Sequence, residues 1–488
     1  MKPYDWQAYD LDRIEAAGYR ALVNVEPGGG KTAISAWAIE RSGAEVVLVV
    51  APKQTFESAW QEDVRRAIGR EVRIIGNGKK AEREALADFE LGYPGIYVCS
   101  PQFMTRADVS AWSGDMLIVD EHHLVNAAKS KGQRQLTGYY PRDWDTALAY
   151  RFPMRLALSG TSWRNSFSRA WATMRLLWPE YDGPGQIADA NYYRWLNDRL
   201  DNVEVYTNQR DANGMPKKVK KFLNEKNPGQ LISEMPCAIT HFRRKNCCSF
   251  HPEGFLPTDE PVVKEHTLAL HKDQTRAIEE LEEFYMTWLD GQPLSVDLSI
   301  TQQQRIRQLC LGVPDVEYYE EDGEEKVRID FDVDCVSPFY DRFREILDDL
   351  PEDEPVVAFV ESQKFAAVLT EKLNRDGVSA FEYSGKTVKT REQDKAEFGS
   401  KYRVAVIVIA AGGTGMSGLH YVAKTEVWFE RSVDETNNTQ AEGRVDRLGG
   451  VGQVERHYLL DEGGRAAGRM SEQLEKRRAL AKTLQVRR

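Results

Sequence analysis

The chain has 488 residues, 65 Lys and Arg against 76 Asp and Glu, a formal net charge of −11 and 41% hydrophobic residues. That length exceeds one ordinary core and suggests two to four units of roughly 100–200 residues each. The acidic balance argues against a protein that coats nucleic acid by bulk electrostatics, though it leaves room for a local basic track. No run of ~18 apolar residues suits a membrane span. The start, Met1-Lys-Pro-Tyr-Asp-Trp-Gln7, lacks the apolar core of a signal peptide. Cysteines at 99, 237, 247, 248, 310 and 335 are too irregular for a disulfide framework. A cytoplasmic setting is expected.

In chain order, Ala21-Leu-Val-Asn-Val25 is strand-like and leads into Glu-Pro27-Gly28-Gly29-Gly30-Lys31-Thr32, after which Ala33 to Glu40 continues as a helix. A glycine turn of this kind lets backbone N–H groups approach phosphate oxygens at a helix N-terminus. Lys31 would reach the β and γ phosphates and the Thr32 hydroxyl would hold Mg²⁺. Val25 stands where the full phosphate-loop pattern has its first glycine. Apolar runs at 46–50, 95–99, 116–119 and 155–158, each followed by a helix-compatible stretch, predict a parallel sheet covered on both faces. Asp120 and Glu121 follow the third run, at the carboxyl end of a strand where ligands of open α/β sheets gather. Asp120 would hold the Mg²⁺ shell and Glu121 would polarise a water as general base. Adjacent residues project differently, so His122-His123 is read as one coupling residue, His123, rather than a metal pair.

From about 181 to 244 the texture changes to Trp, Tyr and basic residues, an insertion of about 179–236. Asn213-Gly214 before Lys217-Lys-Val-Lys-Lys221 suggests a hairpin, either touching phosphate or presenting a solvated face. Cys237, His241, Cys247, Cys248 and His251 are close enough to supply four zinc ligands, but their spacing is not a standard knuckle and reduced cysteines are the simpler reading. Ile278, Leu281, Phe284, Tyr285 and Trp288 fall at helical spacing and predict a helix from Lys272 to Leu289 within a helical insertion of about 268–345. Asp315 to Asp334, centred on Asp322-Gly323, reads as an acidic, solvent-facing hairpin. Apolar strands return at 355–360, 404–409 and 425–429. They imply a second α/β lobe. Near the end, Gln440-Ala-Glu-Gly-Arg444-Val-Asp-Arg447 places two arginines three residues apart, on one helical face, suited to charge that develops on a transferred phosphoryl group. A basic tail follows.

This order of motifs resembles that of superfamily 2 helicases, and within them the SWI/SNF-type helicase-like ATPases in a compact phage or bacterial version. Tyr4-Asp-Trp-Gln7 resembles the adenine-reading glutamine motif, and Ala51-Pro-Lys53 through Trp60 resembles motif Ia. Ser100 to Arg106 resembles Ib, and Asp120-Glu-His-His123 stands where the family has Asp-Glu-Ala-His. Leu158-Ser159-Gly-Thr161 resembles motif III, and His241-Phe-Arg-Arg-Lys245 the basic strand closing the first lobe. Ala358-Phe-Val-Glu-Ser362 resembles motif IV, Ala411-Gly412-Gly413-Thr414-Gly415 through Leu419 motif V, and Gln440 to Arg447 motif VI. Glu430-Arg-Ser-Val-Asp434 stands where the family has Trp-Asn-Pro.

The resemblance implies two RecA-like lobes, 1–246 and 247–488, that close on ATP and Mg²⁺ and step along DNA. On this reading Gln7, Pro27 to Thr32, Asp120 and Gly415 bind nucleotide. Lys31, Asp120, Glu121, Gln440, Arg444 and Arg447 carry hydrolysis. Lys53, Arg106, His123, Ser159, Thr161, Gly412, Gly413 and Thr414 contact DNA or couple to it. The expected protein is an ATP-dependent DNA translocase or helicase, monomeric, favouring duplex, forked or branched DNA over single strands. The rivals are a nucleotide-dependent recruitment switch that does not translocate, and an RNA helicase.

Overall fold

The computed structural model describes residues 2–462 apart from 128, 140–142, 145, 161–162, 164–165, 182–186, 188–190, 211–215, 244–258, 285, 290–291, 296–298, 322–323, 389, 413–417, 433–434 and 448. The chain divides between Pro257 and Thr258 into two compact units. In the first, the β-branched runs form β1 (Arg20–Val25), β2 (Val46–Val50), β3 (Val72–Ile74), β4 (Gly95–Cys99), β5 (Met116–Asp120) and β6 (Met154–Ser159). A long hairpin, β7 (Leu200–Arg210) and β8 (Pro216–Glu225), precedes β9 (Ala238–His241). Seven strands make one sheet in the order β3-β4-β2-β5-β6-β1-β9. Every pairing in it is parallel. Central strands are buried on both faces, which is why they read as continuous apolar runs instead of alternating ones. Helices α1 (Asp5–Ala16) and α2 (Lys31–Ser42) bring the two N-terminal motifs to this sheet. Trp60, Trp112, Trp163 and Trp171 are fully buried. Each large side chain so placed contributes about 1.5–3 kcal/mol of transfer free energy.

The second unit contains β10 (Val262–Leu268), the hairpins β11 (Met286–Leu289)–β12 (Gln292–Ser295) and β13 (Asp315–Glu321)–β14 (Glu324–Asp330), then β15 (Val356–Val360), β16 (Ala380–Tyr383), β17 (Val404–Val408), β18 (Thr425–Trp428) and β19 (Glu455–Asp461). Its six-stranded sheet runs β10-β19-β18-β15-β17-β16 and is again wholly parallel. Two parallel α/β sheets, one per unit, are the architecture of two RecA-like lobes. No helix among the described residues is long and apolar enough to cross a membrane.

The acidic segment forms the expected antiparallel pair, Asp315 opposite Asp330 through Glu321 opposite Glu324. The basic segment likewise forms a hairpin, with Val203 opposite Lys221 and Tyr206 opposite Lys218. The helix expected from 272 to 289 is shorter. It ends at Phe284, and Met286–Leu289 pairs as β11 with β12. Ile278 and Leu281 are buried as expected, whereas Phe284 and Trp288 are exposed. The insertion around 268–345 is therefore part helix and part hairpin. In the sequence Asp290-Gly291 separates the two short strands, and this dipeptide favours a two-residue hairpin connection. The basic tail lies outside the described residues.

Candidate nucleotide site and its surroundings

The carboxyl ends of β1, β5 and β6 bring the first set of predicted residues together. β1 ends at Val25, and the turn that follows hands over to α2 at Lys31. Gly30 is the N-cap of α2 at φ 77°. A Cβ there would stand 2.8 Å from Gln7 Nε2, so both backbone sign and space call for glycine. Gln7 is buried, donates to Gly29 O at 3.3 Å and accepts from Tyr4 N at 3.0 Å. The glutamine motif is thus fastened to the phosphate-type loop. Lys31 Nζ donates to Val25 O at 3.0 Å, within its own loop. Pro27 and Thr32 are half-buried and Gly28 is exposed.

β6 approaches the same loop from the other side. A Cβ on Gly160 would meet Pro27 Cδ at 3.0 Å and Val25 O at 3.2 Å, so a glycine follows Ser159 where the two turns touch. Asp120 and Glu121 close β5. Asp120 Oδ2 accepts the indole N–H of Trp60 at 3.1 Å, and its Oδ1 accepts Glu121 N at 3.0 Å. Burial and the neighbouring Glu121 raise the Asp120 carboxyl above the ordinary range, against the pull of Lys31. Trp60 sits in a π-helical turn, Phe56–Gln61. The extra residue per turn is a common device at functional sites.

Glu121 is a non-glycine residue in the left-handed region, φ 46°, ψ 48°. Such a conformation costs about 1–3 kcal/mol and persists where surrounding contacts over-determine it. Those contacts are present. Glu121 Oε2 lies 3.1 Å from the Ser159 hydroxyl that donates to it and 3.2 Å from His123 Nδ1, while His123 Nδ1 is 3.0 Å from Ser159 Oγ. Burial raises the Glu121 carboxyl, but His123, Lys31 and Ser159 together outweigh it and hold it below the ordinary range. It is an ionised carboxylate fixed at the end of the sheet.

His122 points elsewhere. Its Nδ1 is 3.2 Å from Leu158 O and its Nε2 is 3.2 Å from Thr173 Oγ1, tying β6 to the helix Ala170–Leu177. Burial and the adjacent His123 push it down to about 4. The two histidines diverge, as expected of neighbours. Arg169 adds a contact that spacing does not reveal: it donates to His123 O and, at 3.1 Å, to Asn126 Oδ1. Lys53 and Arg106 are exposed and Thr161 lies outside the described residues. Of the grouped Cys and His positions, Cys247, Cys248 and His251 lie outside them too. His241 Nε2 stands 2.6 Å from buried Asp10 Oδ2, with Trp6 packed edge-on against its ring.

In the second unit Gln440 is buried on the helix Glu435–Val445, and Arg444 is half-buried one turn later. The helix stops at Val445, so Arg447 follows it instead of sharing its face; Gly449-Gly450 comes next, with Gly449 at φ 82°. Arg444 lies near Tyr383, whose proton affinity its charge lowers against the larger effect of burial. Arg447 lies near His420, which burial first and this arginine second push down to about 4. Glu442, between Gln440 and Arg444, is gripped from both sides. Arg431 Nη1 reaches its Oε1 at 3.0 Å and Arg456 Nη1 its Oε2 at 3.7 Å. Arg456 also bonds Glu426 at 2.6 Å, and Arg431 donates to Tyr458 Oη at 2.8 Å. Gly412 ends the helix Ile409–Gly412, while Gly413, Thr414 and Gly415 lie outside the described residues.

The oxygen donors on Asp120 and Thr32 suit a hard divalent cation such as Mg²⁺. Backbone N–H groups of a glycine turn at the start of a helix, as at Gly28 to Lys31, suit phosphate oxygens. Residues 1–164 match the family described as type III restriction enzyme, res subunit. The matched stretch is thus a superfamily 2 helicase-like domain. It supports an ATP-dependent, helicase-like activity for the chain. No curated protein matches it.

Proposed function

We propose that the chain is an ATP-dependent DNA translocase that tracks duplex or branched DNA, with a mechanism of the SWI/SNF-like kind. The observation that carries the hydrolytic part is the fixed carboxylate pair beside the Gly30–Lys31 loop: Asp120 held by Trp60, Glu121 held by Ser159 and His123. Lys31 and the N–H groups at the start of α2 bind the phosphates. Thr32 and Asp120 hold Mg²⁺, which supplies Lewis-acid polarisation of the phosphoryl oxygens. Glu121 orients and deprotonates the attacking water. In the second unit Gln440, Arg444 and Arg447 sense the γ-phosphate and neutralise charge that develops on it; removing such an arginine typically lowers turnover about 10³–10⁵-fold. Ser159 and His123 relay phosphate state toward the DNA surface.

The test is steady-state ATPase with no nucleic acid, single-stranded DNA, duplex DNA, a forked junction and RNA, using Glu121→Gln as the blank. Strong stimulation by duplex or fork supports the translocase and leads to triplex displacement. Equal turnover in every condition sinks it in favour of a nucleotide-dependent recruitment switch, and greater stimulation by RNA in favour of an RNA helicase.

A further inference from the structure

We propose that the β7–β8 ribbon is a surface for the phosphate backbone of duplex DNA, contacting it through Lys218, Lys220 and Lys221. This rests on the DNA reading above and names the element that makes contact. The two strands, eleven and ten residues long, form a two-stranded sheet of their own among the described residues. At 3.3–3.4 Å per residue the ribbon is roughly 30 Å long.

Its root is rigid. Phe222 packs against the core of the first unit, and Glu225 turns inward to accept Gly229 N and Leu231 N, both at 2.8 Å. Arg199 stacks over Trp195 with 4.4 Å to the ring centroid and pairs with Glu234 at 2.6 Å. Further out the ribbon is uncovered: Lys218, Lys220 and Lys221 are exposed, and so are Val203 and Val219.

Charge identifies the occupant. In a chain of net charge −11, this ribbon carries Lys217, Lys218, Lys220 and Lys221 within five positions. Base outnumbers acid on its strands, five Lys and Arg against three carboxylates, of which Asp201 is exposed near the root. Glu204 lies 3.5 Å from Lys218 at an exposed position, where such a pair contributes little, and the Glu225 carboxylate is spent on backbone N–H groups. A two-stranded ribbon is also of a width that the major groove of B-DNA admits. Along β8, Lys218 and Lys220 share one face and Lys221 lies on the other, so a ribbon lying along the duplex offers positive charge from both.

The ribbon is connected to the candidate hydrolytic residues as well. β8 packs on the turn Phe167–Arg169, and Arg169 bonds His123 O and Asn126. His123 in turn reaches Glu121 Oε2 through its ring, at 3.2 Å.

Replacement of Lys218, Lys220 and Lys221 by Gln tests the assignment. Affinity for a short fluorescent duplex would be measured from about 50 to 200 mM salt, because each phosphate contact contributes about 0.9 to the log–log slope. The expected result is binding at least tenfold weaker at low salt and a slope smaller by about 1–3. Arg66, Lys79 and Lys80 changed together to Gln alter net charge equally, and should leave the slope within about 1 of wild type. A ribbon variant whose slope changes by less than about 1, or a control that loses as much, overturns the proposal. Should the triple variant fail to fold, the double variant Lys218→Gln with Lys220→Gln, for which the expected fall in slope is about 1.8, applies the same criterion. Absence of salt-dependent duplex binding by the unmodified protein would instead remove the DNA reading itself.

Discussion

Trp60 and Asp120 meet through a buried 3.1 Å hydrogen bond from the indole N–H to a carboxylate oxygen, across sixty residues of sequence. The contact aims one oxygen of the strand-end acid and leaves its partner to the Glu121 amide. Trp60→Phe keeps the ring but removes the donor. Leaving the acceptor unsatisfied should cost about 1–3 kcal/mol of stability. It should also raise the Mg²⁺ concentration needed for half-maximal ATPase; an unchanged Mg²⁺ titration would count against this role.

Glu121→Gln should abolish most turnover, by about 10²–10⁴-fold, while nucleotide still binds. Gln retains hydrogen-bonding capacity toward Ser159 but is not a base. Binding of a fluorescent ATP analogue alongside single-turnover hydrolysis separates the two effects. Loss of binding in step with turnover would contradict the assignment.

Ser159 and His123 share one oxygen of Glu121 and touch each other. Ser159→Ala and His123→Ala should therefore be non-additive in turnover, with a coupling of about 0.5–3 kcal/mol in a double-mutant cycle. Additive losses would mean that each acts on Glu121 independently.

Glu442 lies in a buried charge network with Arg431, Arg456 and Glu426. Glu442→Gln removes one of the two carboxylates of this cluster and with it the 3.0 Å pair to Arg431, while Arg456 keeps Glu426; breaking a buried pair in this way costs about 3–5 kcal/mol. The transition of the second unit in thermal unfolding should fall accordingly. A shift no larger than that of a surface substitution would show the network to be dispensable.

His266 and His457 supply a pH dependence in the second unit. His266 Nε2 is 2.9 Å from His457 Nδ1, His457 Nε2 is 2.7 Å from Glu455, and Arg342 donates to His266 Nδ1. Burial, then Arg342 and His457, push His266 down to about 4; burial also lowers His457, against Glu455. Lys264 and Glu345 face the same cluster. A histidine lowered in the folded state is protonated first in the unfolded chain, so its effect is absent above pH ~6.5 and destabilises as pH falls toward about 4. Tm measured from pH 7 to 4.5 should decline, and His266→Gln should flatten that decline. An equal slope in the variant would place the dependence elsewhere.

Much of both sheets is legible in the chain because parallel strands buried on two faces appear as unbroken apolar runs. Both hairpins with an Asn-Gly or Asp-Gly centre, at 213–214 and 322–323, are legible from turn chemistry. The helical spacing through Trp288 overran the end of the helix at Phe284, and exposure of Phe284 and Trp288 shows that periodicity alone is a poor guide to burial. The chemistry-bearing residues of the first unit can be named from motifs, but what holds them cannot. Trp60 on Asp120, Arg169 on His123 O and Arg456 on Glu442 are contacts across long stretches of chain, with no local period to announce them.

β10 opens the second sheet but pairs with β19, the strand that closes it, Val262 opposite Glu455 and Leu268 opposite Asp461. During synthesis, β10 therefore leaves the ribosome with no strand to join and waits for nearly two hundred further residues. At about 5–20 residues per second that delay is on the order of ten to forty seconds. Throughout it β10 is unpaired, and once Trp428 has emerged the open side of β18 is a second edge available to other chains until β19 follows. Among the described residues, the sheet of the first unit has its last strand at β9, which ends at His241. Nascent chains arrested before Glu455 should thus present a first sheet with all of its strands and a second that is still open to misassembly or chaperone capture.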